Sequence, residues 1–420
     1  MTLNDGFDRT VSDWLDDQAG RGTPGYLDEI LVRTTRTRQR PAWSSLERWL
    51  PVQSTLRLAP VPRIAWLLVV LAVAIALGAA VVAVGSRRHL PAPFGLARNG
   101  TLMYSGIDKD IYTLDPSTGA STALITGAAG DHYPWLSPDG TRFLFLRETT
   151  TTDPVVGGPE PMIMVADADG GNVRQVSGPL VDVNTAEWSR DGSRIVVSSE
   201  VATKPALTIF TVDGSIKPLG IDTGGMTAYD VSFRPGDREL TFRGSKDGAQ
   251  GLYAVGSDGN GLRTILPPGR SIDISTLSPD GTKIAYHEWV TFGVIHVIDV
   301  DTGLDSIPAF DPTPSTAVFD EGPSWSPDGT RLLFQRYSAA ANSYRMAIAP
   351  AAGGRVVEIG PVMPTNTQGA AAQFSPDGAK VIVNYNSDKS TWLLDPSGQT
   401  QPTQLPSAID GMTTWQRLAP

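Results

Sequence analysis

Carboxylates are the residues of this 420-residue chain whose spacing could carry chemistry. Asp131, Asp182, Asp230, Asp273, Asp320 with Glu321, and Asp410 each stand five to eight residues ahead of the same position in a recurring turn. Acids fixed at one position of a repeat converge when the repeats close on themselves. A rim of converging carboxylates would attract a cation, a basic peptide or a cationic ligand. Asp is also favoured in turns for its own backbone hydrogen bonds, so the same residues read as separately solvated turn acids too. The rest of the chemical inventory is thin. His89, His132, His287 and His296 show no metal-ligand spacing, although His287 and His296 are placed to face each other across a hairpin. Asp167-Ala168-Asp169-Gly170 hints at a calcium loop but lacks the later acidic ligand, which leaves a hairpin turn. Cysteine is absent, so there is no disulfide or thiolate site. No G-x-S-x-G elbow occurs. Neither a metal nor a cofactor is expected, and the chain reads as non-enzymatic.

The element that positions the acids is Ser-Pro-Asp-Gly, behind a bulky apolar residue and ahead of an apolar run. It is clearest at Trp325-Ser326-Pro327-Asp328-Gly329 and returns at Leu277 to Gly281 and Phe374 to Gly378. Looser copies are Trp188 to Gly192 and Phe233 to Gly236. With the Pro position as marker, the occupants are Arg98, Pro138, Arg190, Pro235, Pro279, Pro327 and Pro376, at steps of 40, 52, 45, 44, 48 and 49 residues. That period, with four short strands in each unit, predicts a β-propeller. The first strand runs into the bulky residue, and Pro-Asp-Gly turns the chain, Pro fixing φ and Gly taking the positive value. An apolar second strand follows, as in Phe143-Leu144-Phe145, then a third such as Ile295 to Ile298, and a polar outer strand. The Trp and Phe of the motif alternate with Leu so that a bulky apolar residue recurs in every unit, which indicates packing between blades.

The tail sets the blade count. Trp415 stands at the right offset for an eighth unit, yet the sequence given stops too soon after it for more than a first strand. The unit opening at Leu96 has a feeble first strand, so the strand around Trp415 is expected to complete it. The prediction is an all-β, seven-bladed propeller over 94–420.

These units resemble the TolB-type, WD40-like propeller repeat, with its W-S-P-D-G-x-x-L-x-F signature. The resemblance implies a propeller, but the chain departs from TolB in its blade count of seven against six. It also lacks room for the N-terminal α/β domain, so a Tol–Pal role is not carried over. Such repeats accompany prolyl-oligopeptidase hydrolases as well, and after the seventh unit only the closing strand remains.

Ahead of a linker at 85–93, Ile64 to Val84 is an apolar run of 21 residues without charge or Pro. A helix of that length spans roughly 30 Å, the hydrocarbon thickness of a bilayer. A single-pass transmembrane helix over 64–84 is therefore expected. Residues 1–63 carry nine Arg and eight acids. Phe7, Val11, Trp14 and Leu15 share one helical face, and Tyr26, Leu27, Ile30 and Leu31 another. Arg33, Arg36, Arg38 and Arg40 sit where that second helix ends, the sign favoured by its dipole. This short α-helical N-terminal region reads as a juxtamembrane segment facing lipid head groups or as a dock for a cytoplasmic protein partner. The layout resembles membrane anti-sigma factors, although the His and paired Cys of the zinc-containing type are missing. The remainder of the chain has a net charge of -11, which disfavours nucleic acid.

The leading functional expectation is an extracytoplasmic scaffold that binds a protein or small ligand at the propeller face. The alternative is a transmembrane signalling regulator whose residues 1–63 hold a cytoplasmic factor. Three Arg flank the apolar run on each side, and the Arg33 to Arg40 cluster tips the balance to an internal N-terminus. Alkaline phosphatase fused after Pro420 is accordingly expected to be active in intact cells; an inactive, stable fusion reverses the orientation.

Overall fold

The computed structural model describes residues 95–418, apart from 153–157, 182, 200–205, 216, 365–369, 386–387 and 406–408. The expected N-terminal helices (1–63), transmembrane helix (64–84) and linker (85–93) lie outside the described residues. Among the described residues no helix is long and apolar enough to cross a membrane.

Local chemistry explains the turn. In Ser326-Pro327-Asp328-Gly329 the Gly329 N–H donates to the Ser326 carbonyl at 2.8 Å, and Gly329 has φ +69°. Ser326 Oγ donates to Asp328 Oδ1 at 2.6 Å and accepts the Arg331 N–H at 2.9 Å. Asp328 Oδ1 also accepts the Thr330 N–H at 3.1 Å. Backbone groups left over by the hairpin are thus satisfied within six residues, in the three-residue loop with a left-handed last position. The same Ser-to-Asp bond recurs at Ser137, Ser189, Ser278 and Ser375. At Gly281 a second constraint acts, because a Cβ there would stand 2.1 Å from Pro235 of the preceding blade.

Each turn joins the inner and second strands of a four-stranded antiparallel sheet, and there are seven such sheets. Blade 4 is representative: Thr227–Phe233, Glu239–Lys246, Ala249–Gly256 and Arg263–Arg270, in that spatial order. The other inner strands are Asp131–Leu136 (blade 2), Val183–Trp188 (blade 3), Ile272–Leu277 (blade 5), Val318–Trp325 (blade 6) and Ala370–Phe374 (blade 7). Blade 1 takes Arg98–Gly106, Ile111–Leu114 and Ser121–Ile125 from the start of the ring and its inner strand, Ile409–Leu418, from the end. Leu102 pairs with Trp415 in that ladder. The ring is therefore closed by strands more than 300 residues apart, as the orphan Trp415 implied. Outer strands run from two residues, Arg174–Gln175, to eight; blade 4 carries Pro267 and Pro268 on its outer edge, where no ladder donor is needed.

The core lies between blades. One cluster joins Val196, Leu207 and Ile209 of blade 3 to Phe233, Leu240 and Phe242 of blade 4. Another joins Trp415 and Leu102 of blade 1 to Ile382 and Leu405 of blade 7. The bulky residue of the motif is the wedge. Trp188 Nε1 donates to the Trp135 carbonyl of the preceding blade at 2.9 Å, and Trp325 Nε1 to Thr276 at 3.0 Å.

Deleting residues 405–420 removes Leu405, Ile409 and Trp415, all buried. At ~1.5–3 kcal/mol for each large apolar side chain, that is a large part of the ~5–15 kcal/mol stability of a typical domain. Loss of cooperative thermal unfolding, followed by near-ultraviolet circular dichroism, is expected; a truncated chain melting like the parent would mean that the ring does not depend on its closing strand.

Candidate functional site

Those of the acids singled out by spacing that are among the described residues lie inside the inner strands, and not in the loops ahead of them. Asp131 opens its strand, Asp273 is second in Ile272–Leu277, and Asp320 and Glu321 are third and fourth in Val318–Trp325. Three of them are held by arginines of the adjoining second strand. Arg147 clamps Asp131 with two bonds of 2.8 Å. Arg336 clamps Asp320 at 2.6 and 2.8 Å, with both side chains almost wholly enclosed. Arg243 meets Asp230 at 2.8 Å, and the same carboxylate oxygen accepts Ser275 N–H at 3.0 Å from the next blade. Asp131 and Asp320 face their arginines directly in the ladder register. In these three blades the carboxylate is a structural partner.

Asp273 is exposed, and Glu321 is partly buried beside it. Burial pushes the Glu321 carboxyl up, a hydrogen bond with Tyr344 opposes this, and the charges of Asp273 and Asp320 add to it. Asp182 and the side chain of Asp410 lie outside the described residues. The signal that sequence reading passed over was the arginine closing each apolar run: Phe145-Leu146-Arg147, Phe242-Arg243 and Phe334-Gln335-Arg336.

His287 and His296 do not meet. Tyr286 opposes His296 in the register and His287 opposes Ile295, so the two rings project from opposite faces of the sheet. His296 stacks on Tyr286 and lies between Asp305, 3.1 Å from Nδ1, and Glu288, 3.2 Å from Nε2. Arg270 of blade 4 reaches Glu288 at 2.8 Å, which makes this a polar seam between two blades. His287 is 1% exposed, and neither ring nitrogen has a hydrogen-bond partner. Burial lowers its pKa to about 4, so it is neutral at pH 7. Among the described residues no group of three or more His, Asp or Glu is arranged to hold a metal. Asp167 to Gly171 is a hairpin turn with Gly170 at φ +86°.

The concavity of the ring lies at the other end of the inner strands. A cavity of about 380 Å³ is lined by residues of six blades, among them Trp135, Arg190, Thr276, Ser324, Gln373 and Arg417. Convergence of six inner strands places it on the ring axis, at the turn end. Its two charged lining residues are cations, at the end of the inner strands away from the acids. Arg190 and Arg417 occupy the marker position in Trp188-Ser189-Arg190 and Trp415-Gln416-Arg417, where the other five blades carry Pro. Burial pushes both guanidiniums down. Glu187, three residues before Arg190, is pushed up by burial to about 7, with Arg190 opposing.

No family model matches the chain. The Tol-Pal system protein TolB of Francisella tularensis subsp. tularensis is 23% identical over 226 residues, 53% of this chain and 50% of that protein. The chain thus spans about half the length of the curated relative it matches. Among solved structures, a periplasmic gluconolactonase of Pseudomonas aeruginosa is 17% identical with a TM-score of 0.53, covering 76% of this chain and 99% of that one. An oligogalacturonate lyase in complex with manganese is 12% identical with a TM-score of 0.54, covering 74% and 86%. The chain is a seven-bladed β-propeller related at low identity to TolB.

Removing one member of a buried ion pair leaves the other charge stranded, at about 3–5 kcal/mol. Arg336→Leu should therefore lower stability by that amount in urea titration. The double variant Asp320→Leu/Arg336→Leu should recover most of it, and equal losses in both would deny the pair its structural role.

Proposed function

We propose that this chain is a non-enzymatic binding protein, anchored by a single membrane span at 64–84, that presents its propeller outside the cytoplasm and takes a partner at the axial mouth. The observation that carries this reading is the axial cavity, which six inner strands surround at the turn end. Its walls belong to strands whose hydrogen bonds and interblade packing hold them rigid, so binding there orders few new groups. The carboxylates with repeat spacing give no comparable support for chemistry. In blades 2, 4 and 6 they are spent on ion pairs that tie inner to second strands. The remaining described acids, Asp273 and Glu321, stand close together at the other end of the strands, away from that mouth. The low-identity relationship to TolB is consistent with a scaffold working in the cell envelope.

A second reading concerns the N-terminal segment. Its two apolar stripes at helical spacing and the Arg33 to Arg40 cluster are more than an anchor requires. They support a regulator in which residues 1–63 hold a cytoplasmic protein while the propeller senses a ligand.

Site-specific photo-crosslinking in cells separates the readings. A crosslinker at Ala379, exposed at the turn end, is expected to capture a protein or ligand that one at Ile274, at the acidic end, does not. Capture from Trp49 alone would favour the cytoplasmic regulator, and capture from none of the three positions would overturn the binding function.

A further inference from the structure

Arg417 is the enclosed charge that the fold does not account for. Its guanidinium lines the axial cavity and donates to the Gly95 carbonyl at 2.7 Å. Burial alone presses its pKa down, with no carboxylate among the described residues to pull it back. Arg190 lines the same cavity. Burial lowers it too; Glu187 and Asp237 act against that, and the charge of Arg417 adds to it. The two cations are therefore near enough to repel each other in a partly desolvated space, an arrangement that costs free energy unless an anion joins them. At Arg190 turn chemistry does not ask for it, since five blades place Pro at this position and close the same hairpin, and Arg417 lies in the closing strand, where no hairpin follows from it.

We infer that the axial cavity binds the carboxylate or phosphate head of a small organic anion, held by Arg417 together with Arg190. This rests on reading the turn-end mouth as the binding face and names the ligand class it takes. A guanidinium presents several donors in a planar fork, so Arg417 keeps donors for an oxyanion after bonding Gly95. Arg190 is already engaged, its Nε donating to the Phe233 carbonyl at 2.8 Å, and it contributes charge more than new bonds. In the same lining, Ser324, Thr276 and Gln373 offer polar contacts, while Ala371 and Trp325 offer apolar ones to the body of the ligand. A cavity of about 380 Å³ suits a molecule of that size. The acidic balance of the whole body does not forbid this. Exposed charges are screened beyond about 10 Å at 0.1 M salt, whereas the field between enclosed groups is not.

The test uses the full-length protein in detergent micelles, with intrinsic tryptophan fluorescence and calorimetry as readouts. Benzoate and phenyl phosphate are the probes, and benzylamine is a cation of similar shape. Saturable binding of at least one acid but not of benzylamine is expected, and the tighter acid identifies the head group. Arg417→Gln and Ser324→Asp should each weaken it at least about tenfold, the second by placing a repelling charge in the same lining. Ser324→Asp leaves both arginines in place and decides the matter should Arg417→Gln fail to fold. Absence of binding by either acid, equal binding of benzylamine, or parental affinity in either folded variant overturns the inference. Crosslinking from Ala379 without anion binding would discard the anion and keep the binding face.

Discussion

A hairpin turn leaves a carbonyl that no strand can satisfy, and in this ring the neighbouring blade satisfies it. The carbonyl of Gly192 accepts Arg142 from the blade before it at 2.9 Å, Gly281 accepts Arg234 at 3.0 Å, and Gly378 accepts Arg331 at 3.0 Å. At the closing junction Gln416 donates to Gly140 at 2.9 Å, and the Asp377 N–H reaches Asn99. Two of these arginines also lie over the bulky residue of the next blade, Arg142 over Trp188 and Arg331 over Phe374, and Arg194, which donates to the Asp237 carbonyl, lies over Phe233, at 5.0 to 5.6 Å. One side chain thus pairs a stranded backbone acceptor and covers an aromatic face. Repeated from blade to blade, the contact fixes the angle between neighbours. The axial cavity and the pairing of the last strand with the first both depend on that angle.

The two ends of the inner strands solve their electrostatics differently. At the start of the strands the fold sets aspartate against arginine across a ladder, and the charges cancel locally. At the turn end Arg190 of blade 3 stands where Pro would serve the hairpin, Arg417 lies in the closing strand of blade 1, and the acids acting on Arg190 among the described residues belong to blades 3 and 4. A body with a large negative net charge therefore carries a cationic cup on its axis. Net charge describes long-range attraction through solvent. The potential inside a cavity follows from which few charges are enclosed together.

Pairing of the acids with arginines has a specific cause. Asp131 and Arg147 are 16 residues apart, as are Asp320 and Arg336, and a hairpin register brings each pair face to face. The acids stood out because they recur within five to eight residues ahead of the turn, while the arginines, eight or nine residues after it, sit at the end of apolar runs that read simply as strands. His287 and His296 show the same limit. Their spacing fits a hairpin, yet a register one residue different places Tyr286 opposite His296 and turns His287 to the other face.

The sequence by itself determined the repeat, the turn and the ring. Ser-Pro-Asp-Gly satisfies its own backbone within six residues, so its chemistry is local and legible. Trp415 pointed to the closure, because it keeps the motif offset while the opening unit has a feeble first strand, and it pairs with Leu102. Only the tertiary structure decided what the charged residues are for. Pairing of Asp320 with Arg336 depends on strand register, and enclosure of Arg417 depends on six strands meeting around an axis. Both are relations between distant parts of the chain, and the physical reason they escape a sequence is that desolvation is a property of the assembled surroundings and not of the residue.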